Sequence, residues 1–223
     1  MYRYPGLNSS SRKRILCGWL RNNHEREFNS PLKLQKFLFF YELYSKIEND
    51  IYELRSLKGY IHGPVFSDVY GDYTYEYLDF AANALDQFRM YSSDVNEDRA
   101  ELSCFLVRVH TEMELSKLTH GFNIWNSKED EINRGKLQVP LYEEFLSEND
   151  IQKLLFFKEI YTPDFINSTE VLNVDSKNFL IPKKDLNRLT SEHIEVIEKL
   201  SYNKELTNPV YLSIDEDGVI LVD

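Results

Sequence analysis

Apolar residues return along this chain mostly at helical intervals, and the pattern changes only towards its C-terminal end. Ile15, Leu16, Trp19 and Leu20 share one face of a helix expected over about residues 11–23. Leu34, Phe37, Leu38, Tyr41 and Tyr44 then recur at three- and four-residue steps, the strongest amphipathic signal in the chain. It predicts a central core helix over about residues 32–46, with Leu34, Phe37, Leu38 and Tyr41 inward. Ser30 offers an N-cap oxygen, and Pro31 suits the first helical position, where its missing N–H has no partner anyway.

Residues 51–61 are ambiguous: Tyr60-Ile61 can be a short strand running into a Gly63-Pro64 turn. Pro64 can open a helix carrying Val65, Val69 and Tyr70. Tyr77, Leu78, Ala81, Ala84 and Leu85 continue a helical pattern to about Met90. Leu102, Phe105, Leu106 and Val109 predict an inward face for a helix over about 96–110. Thr111 and Glu114 form a capping-box pattern that opens a short helix, and Gly121 can end it. Residues 129–139 read as a loop, and Ser147 can start a helix with Ile151, Leu154, Leu155 and Ile160 apolar.

The rest is less regular. Strand-like pieces lie at 171–174 and 179–181, and Thr190 or Ser191 caps a helix holding Ile194, Ile197 and Leu200. Val210, Leu212 and Ile214 alternate with polar residues up to Asp217-Gly218, and Val219 and Leu221 alternate beyond it. That predicts a β-hairpin with these five residues on its buried face and the turn from Asp215 to Gly218 in solvent. The class is mainly α, α+β overall: an N-terminal helix in 1–29, a multi-helix domain over 30–161, and a small helix-and-hairpin appendage over 162–223.

A net charge of -11 repels phosphate backbones, so nucleic acid is not an expected partner, and a basic protein surface is. The basic run Arg12-Lys13-Arg14, with Arg21, reads as a solvated helix face. No apolar run approaches membrane-spanning length, so no membrane partner is expected. Cys17 and Cys104 stand alone, outside any ligand spacing, as buried reduced thiols of a cytoplasmic protein.

No cofactor or metal is expected. The histidines at 24, 62, 110, 120 and 193 form no metal-binding spacing, and nucleotide loops and a nucleophile elbow are missing. Gly63-Pro64 reads structurally as a corner between helices and functionally as one that presents Tyr60 and His62. His120, near a helix C-terminus, has a structural reading in which the helix dipole favours its protonated form. Trp125 reads as core or as an interface anchor.

Three segments carry a family resemblance. Lys33-Leu34-Gln35-Lys36-Phe37-Leu38-Phe39-Phe40-Tyr41 comes first, then Gly63-Pro64-Val65 with Tyr70, then Leu115-Ser116-Lys117-Leu118-Thr119-His120 with Trp125. In this order they resemble the Panacea antitoxin domain, a SocA-like, phage-associated family. The likeness runs over about residues 30–161, with Ile124 where the family usually has a proline before the tryptophan.

The resemblance implies a cytoplasmic antitoxin that binds and neutralises a protein toxin without catalysis. Tyr60, His62, Tyr70, His120 and Trp125 would be contact candidates. Leu34, Gln35, Phe37, Leu38, Gly63, Pro64, Val65, Leu118 and Thr119 would form the structural motif. Residues 162–223, outside the likeness, would set partner specificity. Two alternatives remain: an adaptor that delivers a partner to an ATP-dependent protease, and an enzyme using His62 and His120.

Overall fold

The computed structural model describes residues 6–223. Helices dominate. The first stretch holds α1 (Ser11–Asn23), α2 (Glu25–Phe28) and α3 (Pro31–Ile47), followed by the hairpin strands β1 (Leu57–Tyr60) and β2 (Gly63–Phe66). Next come α4 (Ser67–Tyr75), α5 (Tyr77–Met90), α6 (Glu97–Arg108), α7 (Glu112–His120), α8 (Asn123–Asn126) and α9 (Glu129–Asn133). After β3 (Val139–Pro140) the chain runs through α10 (Glu148–Ile160) and α11 (Pro163–Ser168) into β4 (Thr169–Val174) and β5 (Lys177–Pro182). It ends with α12 (Lys183–Leu186), α13 (Ser191–Ser201), β6 (Val210–Ile214) and β7 (Ile220–Val222). The protein is mainly α with two small sheets, ordered β2-β1-β3 and β4-β5-β6-β7.

The central helix is where the periodicity places it, but it is not amphipathic. Leu34, Phe37, Leu38 and Tyr41 are at most 1% exposed, and every residue from Leu34 to Ser45 is buried. Phe39, Phe40 and Leu43 fill the face opposite the predicted stripe. Two polar residues inside this run are satisfied locally: Glu42 takes Arg12 and Lys13, and Ser45 Oγ donates to the Tyr41 carbonyl. Capping is as expected, since Ser30 Oγ accepts from the Lys33 amide and Thr111–Glu114 closes a full capping box.

The helix of Arg12-Lys13-Arg14 is not a solvated face. Lys13 is fully buried, with its Nζ 2.6 Å from Glu42. The reason is crowding: α1 packs against both α3 and α5. A Cβ on Gly18 would lie 2.0 Å from the Ala84 carbonyl, so only glycine permits the approach to α5. On α5 itself Phe80, Ala81 and Ala84 point inward, while Leu78 is 81% exposed. On α10 Leu154 is buried, but Leu155 and Ile160 face outward.

Four other expectations are corrected. Pro64 does not open a helix: Gly63–Phe66 is a strand, and α4 begins at Ser67. Ile61 lies in the tight turn and is outside β1. Residues 129–139 contain a helical turn and the start of β3. In the last hairpin Ile214 pairs with Ile220 and Ser213 with Leu221. Directly opposed residues share a face, so Ile220 follows Ile214 inward, while Val219 and Leu221 turn out with Ser213. Val210, Leu212 and Ile214 are buried as expected.

The main core runs from Ile15 to Leu180, and residues 162–223 contribute Ile166, Val171 and Leu180 to it. A second, smaller cluster of Phe179, Ile181, Ile197, Val210 and Leu212 lies between the second sheet and α13. Cys17 and Cys104 are buried and unpaired, and burial pushes both thiols up. Among the described residues no helix is long and apolar enough to cross a membrane.

Candidate functional site

The three motif segments meet at the β1–β2 hairpin. Its strands pair Lys58 with Val65 and Tyr60 with Gly63. In an antiparallel ladder the intervening pairs direct their backbone groups outward, here those of Pro64 and Phe66. That outer edge of β2 is closed by two side chains of α3. The Phe66 amide donates to Gln35 Oε1 at 2.8 Å, and Gln35 Nε2 donates back to the Phe66 carbonyl at 3.4 Å. Lys36 Nζ donates to the carbonyls of His62 at 2.9 Å and Pro64 at 3.1 Å. Pro64 sits at the one edge position that needs no N–H partner.

Gly63 is required on two counts. Its φ of +103° lies in the region open to glycine. An added Cβ would also sit 2.5 Å from Lys36 Nζ and 2.6 Å from Thr119 Oγ1. Thr119 is buried, with its hydroxyl bonded to the Leu115 carbonyl at 2.8 Å. The second and third segments therefore interlock with the first around one absent side chain.

Behind the hairpin lies a stacked pair. The His120 and Trp125 rings are 3.8 Å apart and nearly parallel, and Trp125 Nε1–H donates to the Tyr60 carbonyl at 3.0 Å. Trp125 is 1% exposed, so it supports the hairpin and is not itself a contact surface. For His120 the direction of the shift runs against the reading of a dipole-favoured cation. Burial holds its pKa below the usual value and Lys36 pushes the same way, as does His62 more weakly, while Glu129 and the Ile61 backbone oppose them. Ser116 Oγ stands 3.5 Å from His120 Nε2, at the outer limit of a hydrogen bond.

The outward side of the hairpin carries a cleft of about 190 Å³. Pro31 and Leu32 form one wall, Ile61 and Val65 another, with Tyr60, His62, Tyr70, Gln35 and Lys36 completing it. The Tyr60 and Tyr70 rings lie 5.8 Å apart. Burial and the neighbouring Tyr70 and Tyr75 raise the Tyr60 pKa. Past Pro31 and Tyr70 the cleft continues into an open groove of Asn29, Tyr73, Thr74 and Tyr77. Of the five contact candidates, His62 and Tyr70 are exposed, Tyr60 and His120 are half-buried, and Trp125 is buried. Of the motif residues, Leu34, Phe37 and Leu38 belong to the core, and Leu118 packs against it.

Sequence reasoning missed Lys36 as a site residue. Burial alone lowers its pKa to about 7. One signal was available: the positions one helical turn away, Leu32, Lys33, Phe39 and Phe40, hold no acid to pair with it. Tyr73 and Tyr77 were also missed as groove residues, since helical spacing alone cannot say which aromatics stay outside. Among the described residues no group of three or more His, Cys, Asp or Glu side chains is placed to hold a metal ion. No family model, no curated protein and no solved structure matches the chain.

Proposed function

We propose that this chain is a protein-binding module of the antitoxin type, which neutralises a cognate protein toxin by covering part of its surface. One observation carries the reading: motif residues from segments as far apart as Gln35 and Thr119 converge on one hairpin, beside a cleft that opens into a tyrosine-lined groove. Tyrosine offers a large, rigid contact area at low conformational cost, and exposed aromatic concavities suit protein partners. The net charge of -11 favours a basic partner surface. The toxin as partner class comes from the sequence resemblance.

The test is co-expression with a small toxic protein encoded beside this chain, read as growth rescue and co-purification. Tyr70→Ala combined with Tyr77→Ala should weaken binding at least about tenfold, as loss of interface aromatics does. His62→Gln and His120→Gln should keep protection, because occlusion moves no proton. Protection lost in either histidine variant, with binding and stability unchanged, would overturn the reading in favour of catalysis. Residues 162–223 would bias which toxin is bound. They share the main core, so surface changes at Val219 and Leu221 test this better than truncation.

A further inference from the structure

Lys36 is 1% exposed, and its Nζ has two acceptors, the carbonyls of His62 and Pro64. An ammonium carries three donors, and the third has no acceptor among the described residues. No carboxylate forms an ion pair with it there either, whereas the equally buried Lys13 has Glu42 at 2.6 Å. A desolvated cation held only by neutral dipoles is under-compensated. The titratable groups around it do not help: Tyr60 and His62 from the hairpin, Tyr70 from α4 and His120 from α7 are neutral or cationic. Glu129 of α9 acts on His120. In a chain of net charge -11 this corner lacks one negative charge.

The cleft indicates what supplies it. Its walls are Pro31, Leu32, Ile61, Val65 and two tyrosine rings, and about 190 Å³ is room for a single side chain, too small for a typical cofactor. One ammonium without an arginine fork suits a monoanion better than a phosphate. An apolar side chain and a carboxylate on the same residue occur together only at the C-terminal end of a polypeptide. We propose that the cleft is a carboxylate-binding subsite that captures the apolar C-terminal residue of a partner chain, with Lys36 as counter-ion to the terminal carboxylate. This rests on the protein-binding reading above and names the part of the partner that enters. The carboxylate needs a charged lysine, and burial leaves Lys36 poised near pH 7. Binding above that pH therefore takes up a proton, while binding well below it does not.

The experiment uses the full chain and two probes, N-acetyl-L-phenylalanine and its C-terminal amide, followed by NMR shifts at the hairpin. The acid should bind at least about tenfold more tightly than the amide at pH 6.5. Its affinity should fall between pH 7 and pH 9, and the pKa of Lys36, read from its Cε signal, should rise when the acid is bound. Lys36→Met should remove the preference for the acid. Equal binding of acid and amide, binding of neither, or an unmoved Lys36 titration would overturn the proposal. The Lys36 titration on the unaltered chain decides the matter even if Lys36→Met does not fold. No partner is present, so a negative result removes the subsite and leaves the co-purification test of toxin binding standing.

Discussion

Lys13 and Lys36 both lie in core helices and both are out of water, yet the molecule treats them in opposite ways. Lys13 Nζ has Glu42 at 2.6 Å, the Glu53 carbonyl at 2.5 Å and the face of Phe66 at 4.1 Å. Glu42 is in turn held by Arg12 at 3.0 Å and by the Glu53 amide at 2.9 Å. Lys13 thus has a carboxylate of its own inside the core, and the group serves as a structural joint between α1, α3 and the chain leading to β1. Lys36 has carbonyl dipoles and, among the described residues, no counter-charge, and a cleft opens beside it. A buried charge paired with its own counter-charge is what a scaffold requires. Partly compensated buried charge next to a cavity is what a binding site leaves for its ligand.

The contrast can be broken most sharply at Glu42. Glu42→Gln strands Lys13 as an unpaired buried cation and should cost about 3–5 kcal/mol in urea unfolding; a loss under about 1 kcal/mol would mean that the two lysines are not held differently. Lys36→Met should act through pH instead. Burial lowers the folded-state pKa of Lys36 to about 7 from 10.5, so between those values the unfolded chain binds more protons. The contribution of Lys36 to stability therefore rises with pH across that window and is level below it. The variant should lack this rise, up to about 2–3 kcal/mol between pH 7 and pH 9; parallel stability curves for the two chains would refute it. Gly63→Ala, strained at φ +103° and crowding Lys36 Nζ and Thr119, should cost about 1–3 kcal/mol. Gly71→Ala meets nothing within 4 Å and serves as its control in the same denaturation series. The smallest effect is expected for Arg12→Ala, about 1 kcal/mol, since the Arg12 side chain is 22% exposed and Lys13 still pairs with Glu42.

Much of the local architecture was legible from residue order alone. The caps at Ser30, Thr111 and Ser147, the central helix and the final hairpin all follow from short-range chemistry, because cap geometry and side-chain periodicity are set within a few residues. What lay beyond reach depended on partners distant in the chain. Helical spacing marked one stripe of α3, but burial of its other face needed Phe122 against Phe39 and Phe40. Register decided that Ile220, and neither Val219 nor Leu221, pairs with Ile214, and register is a tertiary quantity when the turn can close in more than one way. The same holds at the site. Gln35, Lys36, Gly63, Pro64 and Thr119 were visible as motif residues, but their common purpose appears only where α3 closes the outer edge of β2. Residue order determined which side chains could donate, accept or carry charge. Tertiary structure decided which were matched, because compensation of a buried charge depends on distance through space: Lys13 lies 29 positions from its carboxylate, and Lys36 has no ion-pair partner among the described residues.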